Sequence, residues 1–393
     1  MPNRRAEVLS SDSIYSHASY KARDADVSRK YLAEDLEQMS EFEALNRSLS
    51  VQTTITTTSS FSRRHQYARN NPRFQTINQI GAGLQGVIFE QVGFPTALKL
   101  ESPGNATKKS NLRHEYKLHC AVSAAFEIYS PILQITIRVP RPLEFIAAEN
   151  DVFWSSIFSK LPQPYRQRGD IVKMERVLPL TKVVRRALIT RFSPKSSTEK
   201  IEELLNCPEN KHCFVRPYMG KQNGPGQFSL RNFPLYLQSM EDLHMDLDEL
   251  ATSMGKAYAI MHWGAGVTGD DVEFVIGTST QESVQQFLPS SLSALSDFHN
   301  RVTSIYLLDF GQCDEVNFTD EPEAVYQAFK AAMILGDNQL FIPHYLRTPG
   351  LFRKFKSGYS QAGKIILEER NLESRFSIED FMQEYKEYCE DLL

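Results

Sequence analysis

Gly81-Ala82-Gly83-Leu84-Gln85-Gly86-Val87, with Ala97-Leu98-Lys99 downstream, is the stretch on which the reading of this chain turns. Glycines at G-x-G-x-x-G spacing let a backbone approach phosphate groups, and two arrangements use them. In one they lead from a strand into a helix and hold a dinucleotide; in the other they form a strand-turn-strand hairpin over nucleotide phosphates. Here Val87 and Phe89 resume a period-two alternation at once, so a strand follows. Runs at 74–80, 86–92 and 96–101 read as three strands joined by Gly and Pro turns. Lys99 arrives on the third, 13 residues after Gly86. A glycine-rich turn beside a surface lysine would give the same string, so the motif needs partners. The next segment offers one: Leu112, Tyr116, His119, Val122 and Phe126 recur at helical steps, and Glu115, sixteen residues beyond Lys99, flanks that stripe. It can hold the ammonium, or it can be a solvated flank.

Further along, Leu307-Leu308-Asp309-Phe310-Gly311 ends a short apolar run. Asp-Phe-Gly is the metal-binding signature of protein kinases, and glycine loop, Lys, Glu, long helix and Asp-Phe-Gly follow one another here in kinase order. The order predicts an α+β, two-lobed protein-kinase-like fold, with a small β-rich N-lobe over 71–180 and a mainly helical C-lobe over 181–393. In it, Gly81, Gly83 and Gly86 would cover ATP phosphates, Lys99 would pair with them and Asp309 would face Mg²⁺. Ile171-Val172-Lys173-Met174-Glu175-Arg176-Val177 reads either as an ordinary buried strand or as the strand into an interlobe hinge, where Glu175 and Val177 would meet adenine.

The catalytic loop departs from the pattern. A kinase carries His-Arg-Asp with an Asn five residues later, the Asp taking the substrate proton and the Asn holding a second metal. This chain reads His262-Trp263-Gly264, then Asp270-Asp271-Val272-Glu273. Glycine stands where the base belongs. Asp270 and Asp271 are the nearby candidates for a base, and Asp271 or Glu273 could join Asp309 as a Mg²⁺ ligand, since hard cations take carboxylate oxygens; the alternative is a degenerate loop with solvated acids. Two functions stay open: a pseudokinase, acting as a nucleotide-binding regulatory or scaffold module, and an active atypical phosphotransferase acting on a protein or small molecule.

Composition narrows the surroundings. With 41% hydrophobic and 23% charged residues the 393-residue chain can bury a full core. A net charge of -4 without a basic run argues against a dedicated nucleic-acid binder. No apolar stretch reaches the roughly 18 residues of a membrane helix, and an odd set of five cysteines behind a polar start reads as intracellular, cytoplasmic or nuclear. Residues 1–70 are polar, with ten Ser or Thr among positions 48–62, and are expected to be a flexible, largely disordered leader. One amphipathic helix is expected inside it through Leu32, Leu36, Met39, Phe42 and Leu45, docking on the body or on an unknown protein partner. Residues 278–300 are expected to be an inserted loop, with Phe287, Leu288, Leu292 and Leu295 packing locally as a short helix.

Several strings together resemble a fungal family of uncharacterised protein-kinase-like proteins, some labelled "zinc finger protein". They are Val215-Arg216-Pro217-Tyr218-Met219-Gly220-Lys221, Phe228-Ser229-Leu230-Arg231-Asn232-Phe233, Met261-His262-Trp263, Asp271-Val272-Glu273-Phe274, Leu307-Leu308-Asp309-Phe310, and Gly336-Asp337-Asn338 with Phe341-Ile342-Pro343. The resemblance spans roughly 77–366 and implies a fungal source and a kinase-like fold, without an established reaction. Cys207, His212 and Cys213 lack the paired spacing of a structural zinc site, which argues against zinc.

Overall fold

The computed structural model describes residues 29–83, 85–101, 112–193, 197–224, 228–283 and 295–392. The architecture is mixed α+β, with two sheets and two hydrophobic clusters. The smaller cluster lies on a five-stranded sheet. Its strands are β3 (Ile77–Ala82), β4 (Gly86–Gln91), β5 (Thr96–Glu101), β6 (Pro142–Ile146) and β7 (Ile171–Glu175), in the order β3-β4-β5-β7-β6 with every pair antiparallel. Phe89, Leu98, Leu100 and Ile171 supply its buried face with Trp154, as the alternation required. The glycines therefore link two strands, which excludes the strand-to-helix arrangement: Gly81 pairs with Ile88 and Ala82 with Val87, and Gly83 N–H donates to Gly86 O at 2.9 Å. Gly86 has no alternative, because a Cβ there would sit 2.5 Å from Leu100 O.

The second sheet has six strands in the order β1-β2-β11-β10-β8-β9: β1 (Lys30–Leu32), β2 (Thr54–Thr56), β8 (Val215–Tyr218), β9 (Phe233–Tyr236), β10 (Glu273–Ser283) and β11 (Leu295–Leu308). Two expectations are corrected here. Residues 29–70 are folded into the body and are no flexible leader, while residues 1–28 lie outside the described residues. The Ser/Thr-rich stretch supplies β2, whose Thr54, Ile55 and Thr56 pair with Val302, Arg301 and Asn300 of β11; β-branched residues suit a pleated surface whatever their polarity. The expected single helix is two, α1 (Ala33–Glu37) and α2 (Glu41–Ser48), because Ser40 caps the second by accepting from Glu43 N–H. The pair docks on its own chain, with Asn46 Nδ2 donating to Leu243 O at 2.7 Å. Helix α3 (Ser60–Asn70) closes the segment.

The expected insertion is likewise a prolonged hairpin, β10 and β11 pairing from Glu273↔Leu308 outward to Ser283↔Leu295. Leu295 opens β11, and Phe287, Leu288 and Leu292 lie outside the described residues. The carboxy-terminal half thus carries four strands of this sheet beside its helices, which hold most of its regular residues.

Helix α4 (Leu112–Leu133) lies between β5 and β6 in sequence; of the expected stripe it buries Leu112, His119, Val122 and Phe126 and leaves Tyr116 half-buried, and it adds Leu118 with Val122 and Phe126 to the larger cluster. That cluster is completed by α5 (Leu247–Ala259), α6 (Pro322–Ile334), α7 (Asn338–Phe341), α8 (Pro349–Glu369) and α9 (Ile378–Leu392). Helices α5 and α8 touch backbone to backbone: a Cβ on Gly255 would fall 2.1 Å from Phe355 O, and one on Gly358 2.1 Å from Thr252 O. Gly358→Val must push them apart, and a loss of about 3 kcal/mol is expected. A urea midpoint unchanged from wild type would contradict this packing. Among the described residues no helix is long and apolar enough to cross a membrane.

Candidate functional site

Strand β5 points Lys99 away from the smaller core, and α4 brings Glu115 to it. Lys99 Nζ donates to both Glu115 oxygens, at 2.7 and 2.8 Å, and lies 3.5 Å from Asp309 Oδ1. The Lys99 and Glu115 side chains are 9% and 7% exposed, whereas Asp309 is 46% exposed and opens to solvent. Burial would lower the Lys99 ammonium, but the charges of Glu115 and Asp309 outweigh it and hold Lys99 above its ordinary range. Burial also pushes the Glu115 carboxyl up, against the pull of Lys99. Lysine has two carboxylates around it and stays charged, which makes this an ion pair of the kind that costs most when one half is removed.

Asp309 sits at φ 68°, a left-handed conformation that aspartate adopts more readily than most residues. Phe310 beyond it is buried and packs on His119 of α4 at 5.2 Å between ring centroids. His119 Nε2 in turn donates to Pro140 O at 2.6 Å.

Gln85, to which no role is assigned above, is the residue that completes this cluster. It is buried at the tip of the glycine hairpin and accepts from Lys99 Nζ at 3.1 Å. A Cβ on Gly311 would lie 1.7 Å from Gln85 Oε1, so glycine after Asp309-Phe310 is what lets the hairpin fold down. A polar residue between Gly83 and Gly86 was the available signal. Gly83 itself has nothing within 4 Å of where a Cβ would stand. At the far edge of β7, Glu175 is half-buried and paired with Arg138 and Arg141, at 3.7 and 3.5 Å. Glu175, Arg176 and Leu178 donate their N–H groups to Arg141 O, Pro95 O and Thr278 O. The Val177 N–H between them finds no partner among the described residues.

The expected gathering of Asp271 and Glu273 around Asp309 does not form. Asp271 lies at φ 53° and turns to the chain after α6, where its Oδ1 accepts from Asp337 N–H at 3.2 Å and abuts Gly336. Glu273 does lie beside the site, since it pairs in register with Leu308, and Asp309 adds to the burial that raises its carboxyl. It is bound to Arg216 of β8, which also holds Asp337 at 3.1 Å. Arg216 was visible as a lone cation in an apolar strand. Among the described residues no three His, Cys, Asp or Glu side chains gather as a metal cage. Cys213, one of the three residues weighed for zinc, is buried, and burial pushes its thiol up to about 12.

The loop after α5 is fixed along its length. Ile260–Ala265 widens into a π-helical turn, a feature frequent at functional sites. His262 Nε2 donates to Thr268 O at 3.0 Å, and its Nδ1 accepts from Tyr359 OH at 2.8 Å. Gly264 faces Ala125 and Tyr129 of α4, and its carbonyl accepts from Arg370 at 3.0 Å. Thr268 then bonds Asp314 through its backbone N–H and its hydroxyl, and Asn338 Nδ2 donates to Gly269 O at 2.7 Å. Asp270 is held by the Thr268 hydroxyl. It also acts on the buried Cys313, whose thiol burial raises first and the charges of Asp270 and Asp309 raise further.

Among solved structures the chain is similar to the Rio2 kinase-ADP/Mg²⁺-phosphoaspartate complex from Chaetomium thermophilum, at 14% identity and a TM-score of 0.26, covering 80% of this chain and 72% of that one. With so low a score, the fold rests on the chain's own geometry. No family model matches the sequence, and no curated protein matches it.

Proposed function

We propose that this chain is a protein-kinase-like nucleotide-binding module with a degenerate catalytic loop, a pseudokinase that regulates or scaffolds and does not transfer phosphate. The observation that carries the reading is the buried contact of Lys99 Nζ with Glu115 at 2.7 Å beside Asp309. A cation fixed on one carboxylate, under a glycine hairpin and next to an exposed carboxylate, is what nucleotide phosphates and their metal require. On this reading the five-stranded sheet forms the small lobe and the helices with the six-stranded sheet form the large one. Gly81, Gly83 and Gly86 cover the phosphates, Lys99 pairs with them, and Glu175 with the free Val177 N–H borders the adenine.

The residues present fit ATP with one Mg²⁺ better than with two. Mg²⁺ is commonly held by one or two carboxylates together with substrate phosphates, and Asp309 is the carboxylate open to it, Glu273 being neutralised by Arg216 and Asp271 engaged with Asp337. ATP with Mg²⁺ would bring its phosphates to Lys99 and its metal to Asp309. Gly264 brings no base, which supports the non-catalytic reading.

Gln85 competes with a phosphate for Lys99. Gln85→Ala is expected to tighten MgATP about tenfold, the size of one hydrogen bond to a charged group. Equilibrium titration checks it, and an affinity equal to or weaker than wild type would contradict the role.

The active alternative is favoured by Asp270, whose charge, like that of Asp309, acts on Cys313, which makes it the candidate stand-in for a base. Single-turnover incubation with γ-labelled ATP and Mg²⁺ separates the two. No transfer to the chain or to water is expected. Label transfer that disappears in Asp270→Asn would replace the pseudokinase reading with a phosphotransferase.

A further inference from the structure

Two strings that the nucleotide reading leaves without a role, Gly220-Lys221 and the Ile342-Pro343 pair of Phe341-Ile342-Pro343, converge on one cavity of about 350 Å³. It lies where the chain leaving β8 meets the strap between α7 and α8, with the end of α9 as its third side. The wall is rigid. Gly220 N–H donates to Leu340 O at 2.8 Å, and a Cβ on Gly220 would sit 2.0 Å from Gln339 O and 2.6 Å from Ile342 O, so α7, the start of the strap and the strand exit touch backbone to backbone.

The lining combines the rings of Phe352 and Tyr385 with two cations, Lys221 and Arg347, and the neutral ring of His344. Among the described residues no carboxylate lines it. Glu390, whose charge reaches Tyr345 at the rim, is paired with Lys386 at 3.6 Å. Lys221 stands over the Tyr236 ring at 6.0 Å, and neither it nor Arg347 has a carboxylate partner among the described residues.

His344 is part of the same lining. Its Nδ1 accepts from the N–H groups of Leu346 and Arg347, at 3.1 and 3.3 Å, which puts the proton on Nε2, and that N–H is buried without an acceptor. A buried donor left unpaired is costly.

We infer that this cavity binds a small aromatic phosphate monoester, its ring against Phe352 and Tyr385 and its dianion between Lys221 and Arg347. Two full charges without carboxylate partners match a phosphate dianion better than a single carboxylate. The site is separate from Lys99 and stands or falls independently of the nucleotide reading, although the same strap carries Asp337, the partner of Arg216.

Calorimetric titration of the full chain with phenyl phosphate tests it, beside benzoate and benzyl alcohol. Wild type and Lys99→Met are expected to bind phenyl phosphate equally, benzoate more weakly and benzyl alcohol not at all. Lys221→Ala and Arg347→Ala, both at exposed positions, are each expected to weaken phenyl phosphate about tenfold. Absence of phenyl phosphate binding, binding that survives both pocket substitutions, or loss of binding in Lys99→Met overturns the inference. Benzoate binding as tightly as phenyl phosphate overturns the assignment to a phosphate.

Discussion

Glu115→Ala is expected to lower the stability of the fold by about 3 kcal/mol, since it leaves a buried ammonium without its main partner. Lys99 is 9% exposed and cannot recover its hydration by a rotamer change. Asp309 at 3.5 Å and Gln85 at 3.1 Å offset part of the loss, which keeps the figure near the low end for a broken buried pair. Glu115→Gln retains a hydrogen-bond acceptor and should cost less. Urea unfolding of the two variants beside wild type measures the difference. Equal midpoints for all three would mean that the pair is an ornament of the fold and not the anchor of the site.

Acidification is expected to produce the second large effect. Burial first, outweighing the hydrogen bond from each ring, lowers His65 and His119 to about 4 and His262 to about 3, whereas an unfolded histidine titrates near 6.5. Between those values the unfolded chain takes up protons that the folded chain refuses. Stability is therefore complete above about pH 6.5 and falls as the pH drops toward about 4, by up to roughly 1.4 kcal/mol per pH unit for each histidine. At pH 5 the three together remove on the order of 5 kcal/mol. Glu90, bound to Arg176 at 2.7 Å and also depressed, acts in the same direction at still lower pH. Melting temperatures measured from pH 8 to pH 5 should be level at first and then descend steeply. A flat profile across that range would show that these rings are not held neutral.

The parts of the site that could be read from the sequence are those encoded by short periods. Alternation around Gly86 distinguished a hairpin from a strand-to-helix turn, and a helical stripe offered Glu115 as a flank that either holds Lys99 or meets solvent, a choice made only by the contact itself. Asp309 was found by three adjacent letters at the end of an apolar run. What could not be read depends on distant partners. Asp271 has the composition of a metal ligand, yet its carboxylate is taken by the backbone of Asp337, 66 residues away. Composition misled in a different way at 48–62. Many hydroxyls argue for solvation, but Thr54 to Thr56 find an open edge on β11 that only the fold supplies. The Ser- and Gln-rich stretch after Thr278 was misread for the same reason, since strand length in a hairpin is decided by pairing across it.

On the proposed reading Lys99, held by Glu115, binds nucleotide phosphates with a metal at Asp309. A thermal-shift titration of the purified chain with ATP, with and without Mg²⁺, beside Lys99→Met, tests it most directly. A melting temperature that rises with ATP, rises further with Mg²⁺ and does neither in Lys99→Met is the expected result, because a ligand that binds only the folded state stabilises it. No rise in the wild type, or the same rise in both proteins, would contradict the account.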